Sequence, residues 1–153
     1  MSYPTICKSL HITGKSHLSV AIAIKALLKG HRVLFTQVSE MLQSLHQSKA
    51  DNSYYKKLDY YIKPELLVLD ELGFKKIPNY SADDFFEVIS KRYEKGSVII
   101  TTNKSFEEWG DIFSDNILAS AIIDRVVHHS TVIRVNGKSY RTKNIKKEGR
   151  KKM

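Results

Sequence analysis

The sequence predicts a three-layer α/β fold with a mainly parallel central sheet. Short apolar segments of strand length alternate with longer segments of helical spacing along the chain. Residues 66–69 are all apolar and are followed by two adjacent acids, which is typical of a strand buried on both faces. With 153 residues, 42% of them hydrophobic, the chain is long enough for one domain with a substantial core.

Helices are predicted where apolar residues recur every three or four positions. Their ranges are 16–29, 38–49, 54–62, 83–94 and 116–128, with Gly30 ending the first and Ser39 capping the second. Strands are predicted at 32–36, 66–70, 97–101 and 132–135, and Asn136-Gly137 predicts a hairpin turn after the last one. Residues 3–10 make a poor strand because they include Pro4 and Lys8, so we expect a degraded first strand.

The composition excludes several classes of protein. No segment approaches the run of about 18 apolar residues that a membrane span needs, and the first ten residues lack the apolar core of a signal peptide. Cys7 is the only cysteine, which excludes an intramolecular disulfide and a cysteine-based zinc site. These observations favour a cytoplasmic protein.

Positive charge is concentrated at the C-terminus. Residues 138–153 contain eight basic residues and one acid, and so carry +7 of the net charge of +9. We therefore predict a folded domain over residues 1–142 and a basic tail over residues 143–153. Such a tail suits contacts with nucleic-acid phosphates, which need no base readout. The alternative is a disordered tail that only aids solubility.

Gly14-Lys15-Ser16 stands at the start of the first predicted helix. It matches the end of the phosphate-binding loop G-x-x-x-x-G-K-[ST], whose lysine reaches the β- and γ-phosphates and whose hydroxyl binds Mg²⁺. The first glycine of that pattern is replaced by Ser9, and Ile12 and Thr13 are β-branched. The triplet alone is a weak signal, and an ordinary helix N-terminus is the alternative.

Asp70 and Glu71 support a nucleotide site. They follow the apolar strand at the carboxyl edge of the sheet, where ligands bind in open α/β folds. The first acid suits Mg²⁺ and the second suits a water molecule, with solvated acids as the alternative. Asn103 follows the next apolar strand, where its side chain can orient that water, and a turn is its alternative role.

Two further features lie near the end of the last predicted helix. Arg125 is a candidate arginine finger that reaches the γ-phosphate of a neighbouring subunit, with a surface ion pair as the alternative. His128-His129 suggests a metal, but adjacent residues on a helix point apart and no third ligand is evident. We therefore expect packing or solvent exposure of the two histidines.

The order of these motifs resembles the IstB family, the ATP-binding helpers of insertion-sequence transposases, which are related to the DnaC helicase loaders among the AAA+ ATPases. The resemblance extends from about Gly14 to Arg141 and implies a P-loop NTPase fold of the AAA+ type. Its most specific elements are Asp-Glu-Leu-Gly at 70–73, Glu-Trp-Gly at 108–110 and Asp-Arg-x-x-His-His at 124–129. Segments 14–18, 32–35 and 137–141 also match.

The resemblance implies ATP and Mg²⁺ as cofactors and gives the motif residues definite roles. It implies that ATP is bound by Gly14, Lys15 and Ser16, and that Mg²⁺ is held by Ser16 and Asp70. It implies catalytic roles for Glu71, which activates water, for Asn103, at the sensor position, and for Arg125, which completes a neighbour's site.

The function implied by the resemblance is ATP-dependent assembly of copies of the protein on DNA to assist a cognate transposase. Family members carry a helical region and a glycine-rich loop before Gly-Lys-[ST], whereas this chain has Ser9–Thr13 there. We therefore expect an N-terminally truncated copy with weak affinity for ATP. The alternative is a catalytically impaired remnant that acts only as a DNA- or protein-binding module. A small-molecule kinase is disfavoured because no arginine-rich lid segment is evident.

Overall fold

A parallel β-sheet forms the centre of the molecule. The computed structural model describes residues 14–135 in full and the backbone of residues 5–8. Within these residues the strands are β1 (Thr5–Lys8), β2 (Val33–Gln37), β3 (Leu66–Leu72), β4 (Ser97–Thr102) and β5 (Thr131–Arg134). Their order in the sheet is β2-β3-β4-β1-β5, and every neighbouring pair is parallel. The mainly parallel sheet predicted from the sequence is confirmed.

Helices connect these strands. They are α1 (Lys15–Leu28), α2 (Val38–Ser48), α3 (Tyr54–Ile62), α4 (Asn79–Arg92), α5 (Trp109–Phe113) and α6 (Asn116–Val127), with a 3-10 turn at Phe106–Glu108 before α5. At least one helix lies between each pair of successive strands, because parallel strands need a crossover connection. Among the described residues, no helix combines the length and the apolar character that crossing a membrane requires.

Four predictions need correction or fall outside the described residues. The first strand is not degraded, since β1 lies between β4 and β5. Pro4 precedes it, so no N–H of the ladder is lost. The predicted capping of α2 by Ser39 is wrong, because the N-cap is Gln37 and makes no side-chain bond. The hairpin turn at Asn136-Gly137 and the basic tail lie outside the described residues.

Strand β3 is buried on both faces, as its apolar sequence predicts, because its side chains alternate between two cores. The larger core lies between the sheet and α2 to α6 and includes Leu67, Leu69, Phe85, Trp109 and Phe113. The smaller core lies beneath α1 and consists of the buried residues Ala23, Leu66, Val68 and Ile99. Together the sheet and its two covering layers of helices position the carboxyl end of β3 between α1 and β4.

Arg92, the last residue of α4, is buried at 1% exposure without an ion pair among the described contacts. Burial lowers the pKa of its guanidinium to about 10, so the group is charged at neutral pH. A Cβ atom at Gly96 would lie 2.6 Å from Nη2 of this arginine, which explains the glycine there. The guanidinium donates hydrogen bonds of 2.6–3.1 Å to the backbone carbonyl groups of Tyr61, Ile62, Pro64 and Ser97.

Candidate functional site

The two motifs of the predicted nucleotide site, Gly14-Lys15-Ser16 and Asp70-Glu71, meet at the carboxyl end of β3. The hydroxyl of Ser16, on the first turn of α1, lies 3.0 Å from both carboxylate oxygens of Asp70. Thr101 of β4 donates a short hydrogen bond to Oδ1 of the same carboxylate. Asp70 is only 5% exposed, and these hydroxyl groups donate hydrogen bonds to its buried carboxylate. A hydroxyl and a carboxylate are oxygen donors of the kind that Mg²⁺ takes, and this pair fits that ion.

Glu71 differs from its neighbour in both backbone and exposure. Its φ of 63° lies in the left-handed region, which residues other than glycine rarely adopt. The pairing of β3 with β4 shifts register between Leu69 and Leu72, and the Glu71 N–H donates to Oγ1 of Thr101 over 2.9 Å. Irregularities of this kind are frequent beside functional sites, where they redirect a side chain. The carboxylate of Glu71 is exposed next to the buried carboxylate of Asp70.

Lys15 lies in the electrostatic field of both acids. Burial lowers the pKa of its ammonium group, while attraction to Asp70 and to Glu71 acts in the opposite direction. Gly14 precedes it with a φ of 84°, a left-handed angle that glycine adopts without steric cost. The first turn of α1 therefore brings a lysine, a hydroxyl and helix N-terminal amide groups to one place, which suits an anionic ligand.

The other two predicted catalytic residues lie in different places. Asn103 directly follows β4, and because Thr102 pairs with Leu72 it lies at the same edge of the sheet as Glu71. Arg125 lies on α6, where its guanidinium stacks over the Phe86 ring at 4.7 Å and donates to the Ala121 carbonyl at 2.9 Å. Neither partner of Arg125 belongs to the group formed by Ser16, Asp70 and Thr101.

Thr101 is a part of the site that the sequence reasoning missed. Its hydroxyl donates to Asp70 and accepts from the backbone of Glu71, so one side chain holds both acidic residues in place. The available signal was a polar residue near the end of an apolar strand, two positions before Asn103. It could not be interpreted without the pairing between β3 and β4.

A groove that we also did not predict opens beside Glu71. It has a volume of about 590 Å³ and lies between α2, the loop after β3 and the start of α4. The rings of His46 and Tyr80 pack against each other in it, with centroids 4.5 Å apart. Its lining includes Gln43, His46, Glu71, Phe74, Lys75, Lys76 and Tyr80.

The expectation that His128 and His129 point apart is wrong. Their ring centroids are 4.0 Å apart, because His128 caps α6 and His129 follows the helix, where helical spacing no longer applies. A third group, which the sequence did not suggest, lies beside them. Oε1 of Glu94 is 3.7 Å from Nε2 of His129.

Proteins of insertion sequences are similar to this chain in amino-acid sequence. The chain is 41% identical over 136 residues to a protein of insertion sequence IS21 from Pseudomonas aeruginosa that is named for ATP binding. It is 43% identical over 130 residues to the corresponding IS232 protein of Bacillus thuringiensis subsp. berliner. These alignments cover 89% and 85% of the chain but 51% and 52% of the relatives. The chain thus spans about half the length of the curated relatives it matches.

Solved structures with the same fold come from DNA replication proteins. The DnaC helicase loader superposes with a TM-score of 0.73 at 20% identity, over 88% of this chain and 78% of the loader. The replication initiator DnaA, solved with AMPPCP and single-stranded DNA, gives 0.74 at 19% identity, over 97% of this chain and 45% of that one. These likenesses confirm the P-loop fold of the AAA+ type.

A family model extends the match over most of the chain. The model described as IstB-like ATP binding protein matches residues 11–148, which include every motif residue discussed above from Gly14 onward. The sequence resemblance, the sheet order and the meeting of Ser16 with Asp70 are all consistent with this match. The chain therefore belongs to the family of IstB-like ATP-binding proteins.

Proposed function

We propose that this chain binds ATP together with Mg²⁺ and assists a transposase on DNA. The observation that carries the proposal is the contact of Ser16 with Asp70, which joins two motifs 54 residues apart in sequence. The names of the relatives, which refer to insertion sequences and to ATP binding, support it. ATP, Mg²⁺, DNA and the transposase are proposals for this chain, since it aligns with about half of each relative.

Each residue of the site has a separate role in phosphoryl transfer, whose catalysis consists mainly of positioning and charge neutralisation. Lys15 and the amide groups at the start of α1 bind the phosphates. Ser16 and Asp70 would hold Mg²⁺, which would supply positive charge beside the phosphates. The exposed carboxylate of Glu71 orients the attacking water and accepts its proton, with Asn103 at the same edge of the sheet.

Arg125 fits the proposal only in an assembly of several copies. Within the chain its guanidinium is held over Phe86 and against the Ala121 carbonyl, at the packing of α6 on α4. An arginine in this position can complete the site of a neighbouring copy, as arginine fingers supplied in trans do. We therefore propose that the active form is a homo-oligomer with sites between its subunits.

The affinity for Mg-ATP is expected to be weak because Ser9 replaces the first glycine of the loop pattern. We expect a Kd of about 0.1 mM or weaker by calorimetry, and no measurable binding by Lys15→Ala. Lys25→Ala, which removes an exposed lysine from the last turn of α1, is the control and should bind like the parent protein. A submicromolar Kd that Lys15→Ala abolishes would contradict the expected weakness, while binding unaffected by Lys15→Ala would contradict the site itself.

The groove beside Glu71 is a candidate DNA contact in addition to the basic tail. It combines Lys75 and Lys76 with the exposed rings of Phe74 and Tyr80. Lysines bind phosphates and aromatic rings stack on bases, so this lining suits an exposed nucleic-acid strand. DNA is also the ligand of the DnaA structure with the same fold, which supports the proposal.

Replacing Lys75 and Lys76 together with alanine is expected to weaken DNA binding by about three- to tenfold. Because two phosphate contacts are lost, the slope of log K against log salt should fall by about two in magnitude. Fluorescence anisotropy of a labelled oligonucleotide over a salt series measures both quantities. The double variant Lys56→Ala, Lys57→Ala on α3 changes the charge equally and serves as the control. Equal effects of the two double variants would contradict a specific role of the groove.

A further inference from the structure

We propose a binding site for a zinc-class divalent metal ion at Glu94, His128 and His129. One ligand atom from each of these side chains can be chosen so that all three lie within 4.8 Å of one another. Among the described residues, no other group of three potential metal ligands comes this close together. It lies where α4 and α6 end, and it belongs to no part of the proposed nucleotide site.

The distances between the ligand atoms are close to those of a metal site. Ligand atoms about 2.0–2.2 Å from a tetrahedral zinc ion lie about 3.3–3.6 Å from one another. Nε2 of His129 and Oε1 of Glu94 are 3.7 Å apart, and the side chains are 40% and 61% exposed. The other ligand-atom distances in the group are at most 4.8 Å, and exposed side chains can close the difference by rotation. Two imidazoles and a carboxylate suit zinc and its neighbours, and leave a fourth position for water.

The surroundings favour a cation. Helix α4 ends at Arg92 and α6 ends at Val127, so the negative ends of two helix dipoles meet at this corner. The Tyr93 hydroxyl lies 2.7 Å from Nδ1 of His128, a hydrogen bond of the kind that orients metal-binding imidazoles.

The backbone of Glu94 provides an independent observation. Its φ of 59° is left-handed, in a turn where glycine or asparagine would be less strained. Strained residues of this kind cluster at functional sites. A bound ion would link the end of α4 to the end of α6. The two histidines lie about one helical turn beyond Arg125.

Calorimetric titration of the EDTA-treated full chain with ZnCl₂, in excess Mg²⁺, tests the site. We expect one equivalent of Zn²⁺ to bind, and His129→Ala and Glu94→Gln each to weaken binding by at least about tenfold. Because these side chains are exposed, both variants should keep the parent Tm without zinc. Zinc at a concentration that saturates the parent should raise the Tm of the parent by more than that of either variant. The same chain with Co²⁺ should show the visible absorption of a tetrahedral site, which His129→Ala removes.

His31→Ala is the matched control, because it breaks a similar exposed pair, His31 with Glu65 at 3.1 Å, that has no third ligand in the described part of the chain. It should bind Zn²⁺ like the parent. Zinc affinity that His129→Ala and Glu94→Gln leave unchanged, or that His31→Ala lowers equally, would overturn the proposal. So would the absence of binding by the parent. None of these results depends on ATP binding.

Discussion

Replacing Arg92 with methionine is expected to lower the free energy of unfolding by at least about 3 kcal/mol. Each buried carbonyl that loses its donor costs about 1–3 kcal/mol, and Arg92 serves the end of α3, the turn after it and the start of β4 at once. Methionine fills a similar volume, so the loss is one of hydrogen bonds more than of packing. Urea denaturation followed by circular dichroism measures the change.

Arg32→Met provides the matched control. The side chain of Arg32 is 71% exposed and makes one ion pair, with Glu65 at 3.6 Å. Surface pairs contribute about 0–1 kcal/mol, so this variant should lie close to the parent protein. A decrease of less than 1 kcal/mol for Arg92→Met would show that water replaces the guanidinium at these carbonyl groups. The account of Arg92 as a structural centre would then be wrong.

Replacing Glu71 with glutamine is expected to lower DNA-stimulated ATP turnover by about 100- to 1,000-fold while leaving the affinity for ATP nearly unchanged. Glutamine keeps the size and hydrogen-bonding reach of glutamate but cannot accept the proton of the attacking water. The left-handed backbone is equally strained in both proteins, so the fold should be unaffected. Release of phosphate, measured with and without DNA, gives the turnover.

Glu40→Gln, on the exposed face of α2, is the control for the loss of one negative charge and should retain turnover. Turnover that survives Glu71→Gln would assign the activation of water to another group. If the parent protein binds ATP but shows no turnover, the alternative of a catalytically impaired DNA- or protein-binding module is favoured.

The sequence predicted those elements whose pattern is set by burial alone. Strand β3 was found because side chains on both of its faces are apolar, whereas Ser16 and Asp70 were assigned to one Mg²⁺ site from the resemblance to the IstB family. Helix α4 begins at Asn79, four residues before the predicted start at Asp83. Its first turn carries Tyr80 and Ser81, which gave no apolar spacing to detect.

Residues that depend on partners distant in sequence could not be predicted. Arg92 has the sequence character of a surface residue and is buried only because carbonyl groups about 30 residues away converge on it. Thr101 gains its role from the register of β4 beside β3, and Glu94 joins the two histidines only through the packing of α4 on α6. In each case the information lies in the tertiary structure rather than in local spacing.

The groove described above shares two of its lining residues, Glu71 and Gly73, with the segment that carries the proposed catalytic carboxylate. A ligand in the groove would therefore lie against the segment that carries the proposed catalytic carboxylate. If such a ligand changes the affinity for ATP by some factor, thermodynamic linkage requires ATP to change the affinity for that ligand by the same factor. One affinity ratio, measured in either direction, then fixes the other.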